Sequence, residues 1–140
     1  MKWEKYAYRH AVVAAEESKD PYLKVGCCLL RHDNSIASAG YNGFPAGMKE
    51  DWDDRDERRK YVVHAEANAV RYIKPDECWL AATTLLPCND CLKTLASYGI
   101  KKIIYGEVYK NDPSTLELAE KFGIELKSIS SILNAEKHPI

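Results

Sequence analysis

Apolar side chains recur at helical spacing over residues 2–18, where Trp3, Tyr6, Ala7, His10, Val13 and Ala14 make one stripe of a predicted amphipathic helix. Asp20-Pro21 follows as a turn. Residues 25–30 and 35–41 read as two strands joined by the polar turn Arg31-His32-Asp33-Asn34. Neighbours along a strand face opposite ways, so Cys27 and Cys28 fall on different faces as small core residues. His10 reads as a packed histidine of the apolar stripe and His32 as a solvated turn residue.

Helices and strands then alternate. A predicted helix over 64–73 stops at Lys74-Pro75-Asp76, and 78–84 is nearly continuous in apolar residues, as a central buried strand is. A helix over 88–98 is capped by Gly99, and 102–105 is a fourth strand. A further helix opens at Asp112-Pro113 and closes at Gly123, and 124–129 is a fifth strand before a tail without evident chemistry. This order predicts an α/β fold, a three-layer α/β/α sandwich around a five-stranded mixed sheet. The helical connection between the last two strands makes those two parallel.

Two stretches break the pattern. Residues 41–48, with two glycines and a proline around Asn42, Phe44 and Met48, form a shaped loop. Residues 49–60 carry eleven charges in twelve positions, six acidic and five basic, with only Trp52 between them. Such a run reads as a solvated face or mobile loop, and Trp52 within it suggests docking against a neighbouring subunit.

At 140 residues, 46% hydrophobic and 29% charged, the chain has the size and composition of one ordered domain spanning 1–140. Its formal net charge of −1 gives no overall field to draw nucleic acid or an anionic membrane. No apolar run approaches the roughly 20 residues of a membrane span, and the first residues lack a signal-peptide pattern, so an intracellular, cytoplasmic protein is expected. Five cysteines, an odd number at low density, argue for metal binding or packing over disulfides.

Three of the candidate ligands fall at predicted helix starts: His64 opens one helix, Cys88 and Cys91 the next. Cysteines three apart in a helical turn aim both sulfurs at one ion, and one imidazole with two thiolates suits zinc. A structural zinc is closed by four protein ligands, whereas a catalytic one keeps a place for water and lowers its pKa to about 7. Glu66, two residues after His64, stands where one carboxylate can take that proton and deliver it to a leaving group. The alternative is a closed staple completed by Cys78 or Cys27.

His64-Ala65-Glu66 followed by Pro87-Cys88-Asn89-Asp90-Cys91 carries the H-x-E…P-C-x-x-C signature of zinc-dependent nucleobase deaminases. Together with Lys24-Val25-Gly26, Gly40-Tyr41-Asn42-Gly43-Phe44-Pro45, Asn68 and Gly99-Ile100-Lys101-Lys102, these residues resemble the cytidine deaminase-like superfamily. Within it they are most similar to the deoxycytidylate (dCMP) deaminases, over about residues 22–105. The resemblance implies hydrolysis of dCMP to dUMP and ammonia, with zinc on His64, Cys88 and Cys91 and with Glu66 as proton shuttle. It also implies that the Ala65 amide meets the ring carbonyl, the Leu86 carbonyl receives the exocyclic amine and Asn42 holds the sugar. Lys24, beside the first strand, is the cation chosen for the 5′-phosphate. A hexamer is implied too, activated by dCTP and inhibited by dTTP with Mg2+, the regulatory loop carrying Asn42, Gly43, Phe44 and Met48. Some relatives hold a second zinc with a histidine two before the catalytic one. Here that position is Val62, which argues against it.

Other readings are a deaminase of another base, such as adenosine in tRNA, an enzyme acting on both dCMP and dCTP, and a non-catalytic zinc-held interaction module. The near-neutral charge and the acidic stretch at 50–57 oppose an RNA substrate. Tyr105 and Tyr109 are further candidates for the pocket wall.

Overall fold

The computed structural model describes residues 1–109 and 112–136. Strands β1 (Gly26–Arg31), β2 (Ile36–Tyr41), β3 (Cys78–Leu85), β4 (Lys102–Glu107) and β5 (Glu125–Ser128) form one sheet in the order β2-β1-β3-β4-β5. β1 runs antiparallel to β2 and β3, whereas β3, β4 and β5 are parallel. The expected parallel pair therefore extends to a third strand, because β3 and β4 are also joined through a helix, α4 (Asn89–Ser97).

Helices cover both faces of the sheet. Helix α1 (Lys2–Glu16) and helix α6 (Ile129–Ala135) pack Ala7, Ala11 and Ile132 onto Cys28, Leu30, Leu80, Ala82 and Ile104. Helix α3 (Ala65–Val70), α4 and helix α5 (Pro113–Phe122) pack Ala69, Leu92, Leu95 and Ala119 onto Cys27, Leu29, Ala81 and Ile103. The period of two thus sends Cys27 and Cys28 into separate cores, as the strand reading requires.

The buried face of α1 differs from the predicted stripe. Glu4, Ala7, Ala11 and Ala15 face inward, and Val13 stays 57% exposed. The reason is close approach: a Cβ on Gly26 would lie 1.9 Å from the Ala11 carbonyl oxygen, so only a column of small residues lets the helix reach the sheet. Glu4 reaches past that column to pair with Lys102 at 2.7 Å, and His10 packs edge-on against Tyr6. The His32 ring lies 3.0 Å from the Asp76 carbonyl oxygen.

Two segments are more ordered than their composition suggests. Within 49–60, the short helix α2 (Arg55–Arg58) is capped by Asp54, whose carboxylate accepts from the Asp56 and Glu57 amides. Trp52 packs on Phe44 of the same chain with ring centroids 4.4 Å apart. The tail holds α6, capped by the Ser128 hydroxyl, so the last strand ends at Ser128. The rest of the tail, 137–140, lies outside the described residues.

No helix among the described residues is long and apolar enough to cross a membrane. Gly26→Val should lower the unfolding free energy by about 3 kcal/mol, since backbone and not a yielding side chain meets the new atoms. Urea denaturation checks this, and an unchanged midpoint would refute the close packing of α1.

Candidate metal centre and cavity

His64 and Cys88 occupy corresponding positions, each the residue that caps a helix with extended backbone angles. His64 is held from behind by a two-residue bridge: Gly43 N–H donates to the Val63 carbonyl at 3.1 Å, and Val63 N–H to the Gly43 carbonyl at 2.8 Å. A Cβ on Gly40 would come within 2.6 Å of the Ala69 amide, so α3 lies directly on β2. The Ser38 hydroxyl and the Asn68 amide seal that contact through the Ala69 and Tyr41 carbonyls. Cys88 follows the C-terminal end of β3, and its sulfur accepts from the Cys91 amide at 3.5 Å.

These turns bring His64, Cys88 and Cys91 together, with their donor atoms all within 4.8 Å of one another. His64 Nδ1 lies 3.3 Å from Cys91 Sγ and 3.6 Å from Cys88 Sγ. Tetrahedral zinc with ordinary bond lengths separates a nitrogen and a sulfur ligand by about 3.6 Å, so the donor set fits that ion. The charges fit as well. Hydrogen bonds from Cys91 and then His64 hold the Cys88 thiol well below its ordinary pKa, while the bond to Cys88 raises His64.

No fourth side chain joins the triangle among the described residues. Cys27 and Cys78 are fully buried in the core. Neither belongs to the group of donor atoms that converge, and burial raises both thiols above their ordinary pKa, to about 11 for Cys78. No second group of this kind occurs among the described residues, and Val62 lines the cavity.

The triangle opens onto a cavity of about 570 Å³ at the edge of the sheet where β3 and β4 end. Ala65, Glu66, Leu86 and Asn42 all line it. Glu66 is 4% exposed, and burial pushes its carboxyl up to about 7. Leu86 donates its amide to the Glu107 carbonyl at 2.8 Å, which fixes that peptide. Asn42 is largely committed to its own chain. Its Nδ2 donates to Asp20 and to the Leu23 carbonyl, and its Oδ1 accepts from the Val25 amide. Toward a ligand it retains only an acceptor lone pair.

Lys24 is exposed and lies outside the cavity lining. The cations that line it are Arg55, Arg58 and Arg59, from the stretch read as solvated. Their signal was the spacing, since arginines three and four apart share a face once Asp54 starts a helix. Arg55 donates to the Tyr109 hydroxyl at 3.1 Å, so Tyr109 joins the rim and Tyr105 does not. Gly43 and Phe44 border a separate hollow with Asn42, Asn68 and Arg71, from which Met48 is absent.

The family model for the cytidine and deoxycytidylate deaminase zinc-binding region matches residues 1–107. This chain belongs to that family. A probable deoxycytidylate deaminase of Drosophila melanogaster is 31% identical over 91% of the chain and 72% of its own length. The deoxycytidylate deaminase of Homo sapiens is 35% identical over 75% of the chain and 65% of its own length. The chain therefore spans about two thirds to three quarters of these relatives. The dCMP deaminase of cyanophage S-TIM5, solved in complex with dCMP and dUMP, superposes with a TM-score of 0.79 at 23% identity, over 91% of this chain and 97% of that one. That match shows a shared fold.

Two outcomes follow from the site. Cys88→Ala should purify with far less than the about one zinc per chain expected of the parent, read by metal analysis; full metal content would remove Cys88 from the ligand set. In the metal-free protein, the folded state keeps a proton on Glu66 that the unfolded chain releases above its ordinary value of 4.5. Stability from this group is complete below 4.5 and falls as pH rises toward 7. Glu66→Gln should remove that loss and stabilise the metal-free chain at pH 8 by about 3 kcal/mol. Equal pH dependence of the two proteins' denaturation would contradict the buried carboxyl.

Proposed function

We propose that the chain is a zinc-dependent deaminase converting dCMP to dUMP and ammonia. The observation that carries this is the buried Glu66 carboxyl beside the three-donor triangle, in a cavity that also presents three arginines. Zinc, which His64, Cys88 and Cys91 would hold, would supply a water of lowered pKa as the nucleophile. The water's oxygen adds to the ring carbon bearing the exocyclic amine, the carbon–nitrogen bond breaks, and ammonia departs. Glu66 would carry one proton of the water to the adjacent ring nitrogen and the second to the departing amine, so that the ring is left with a carbonyl and an N–H as ammonia leaves.

The remaining lining groups orient the base and sugar. The Ala65 amide at the start of α3 donates to the ring carbonyl, and the Leu86 carbonyl accepts from the exocyclic amine. Asn42, with both Nδ2 hydrogens engaged, accepts a hydrogen bond from a sugar hydroxyl. The arginines favour a phosphorylated substrate over a free nucleoside. The likeness to deoxycytidylate deaminases extends the proposal to a hexamer, with dCTP activating and dTTP inhibiting in the presence of Mg2+ through the Asn42–Met48 loop.

Ammonia release from cytidine, deoxycytidine, dCMP and dCTP, with and without dTTP, tests the reading. Turnover should be high on dCMP and low on the nucleosides. Glu66→Gln should keep its zinc and lose at least about 1000-fold in kcat. Equal rates on deoxycytidine and dCMP, or near-normal turnover by Glu66→Gln, would contradict it.

A further inference from the structure

Among the three arginines of the cavity, Arg58 is built differently from the others. It is 9% exposed, while Arg55 and Arg59 are open to solvent. Its Nη1 lies 3.1 Å from Asp20 Oδ2, its guanidinium sits 4.8 Å from the centroid of the Tyr22 ring, and its Nε is buried without a hydrogen-bond partner among the described residues. Burying a guanidinium is costly unless its donors are matched, and one carboxylate oxygen does not match five N–H groups. The cation is therefore held in place with bonding capacity that its described neighbours leave unused.

Asp20 accounts for the holding. It is 1% exposed, and its Oδ1 accepts from the Tyr22 and Leu23 amides at 2.8 and 3.3 Å. Its Oδ2 accepts from Asn42 Nδ2 at 3.2 Å as well as meeting Arg58. One oxygen thus spaces the arginine from the asparagine that faces the sugar. A planar fork fixed beside a sugar-binding group suits a phosphate ester on that sugar.

We propose that Arg58 selects a 5′-phosphorylated substrate by binding its phosphate, and that Asp20 is the positioning residue setting the distance between phosphate and sugar contacts. This rests on the deaminase reading of the cavity. It replaces Lys24 with a residue from the charged stretch.

Arg58→Gln and Arg58→Lys, both zinc-loaded, are compared with the parent for kcat/KM on dCMP and deoxycytidine. Arg58→Gln should lose about 100-fold on dCMP, mainly in KM, with deoxycytidine changed less than about 3-fold. Arg58→Lys keeps the charge opposite Asp20 and decides the matter if the glutamine variant does not fold; it should lose about 10-fold on dCMP alone. Asp20→Asn should narrow the preference for dCMP over deoxycytidine while zinc content is unchanged. An undiminished preference for dCMP in both Arg58 variants, including equal losses on the two substrates, overturns the proposal. Calorimetry with dUMP and deoxyuridine separates this from the functional reading. If the parent releases no ammonia from any substrate, that reading fails. A preference for dUMP over deoxyuridine that falls about 10-fold in Arg58→Lys still assigns the phosphate to Arg58, and one of undiminished size removes it.

Discussion

Three donor atoms held within 4.8 Å by the starts of two short helices are the constraint to which the rest of the site answers. Neither helix reaches that point alone. α3 is pressed onto β2 through the missing side chain of Gly40 and tied by the Gly43–Val63 bridge. α4 begins where β3 ends, at the boundary of the parallel part of the sheet. Convergence at the C-terminal edge of the parallel strands leaves room for a ligand there.

The same convergence explains Glu66. As the second residue of α3, it is carried inward by the helix that His64 caps, and burial raises its pKa to about 7 in the metal-free chain. A buried carboxyl of this kind destabilises the metal-free chain above its ordinary pKa. On the opposite side, Asp20 spends its whole carboxylate on local donors, so Asn42 and Arg58 face the cavity already oriented. Preorganisation of this kind lowers the ordering cost of binding.

Much of the chemistry was legible in the chain because it rests on local spacing. His64 with Glu66 and Cys88 with Cys91 each sit within a single turn, the resemblance to the H-x-E…P-C-x-x-C signature joins the two pairs, and the parallel last strands follow from their helical connection. What depends on contact between distant segments was not legible. The inward face of α1 is set by Gly26 beneath it, which favours Ala11 and Ala15 over the larger Val13 and Trp3. The arginines at 55, 58 and 59 cancel against neighbouring acids in any count of charge, and only the fold separates the two sets. Lys24 adjoins β1 in sequence but is exposed and absent from the cavity wall that its neighbours Leu23 and Val25 line, and the serine-rich start of α6 concealed a helix that Ile132 anchors.

Whether the metal site is open or closed decides between a catalyst and a scaffold, and X-ray absorption at the zinc edge of the loaded protein measures it. The account predicts one nitrogen, two sulfurs and one light oxygen-type donor around each zinc. A third sulfur, from Cys27 or Cys78, would contradict it.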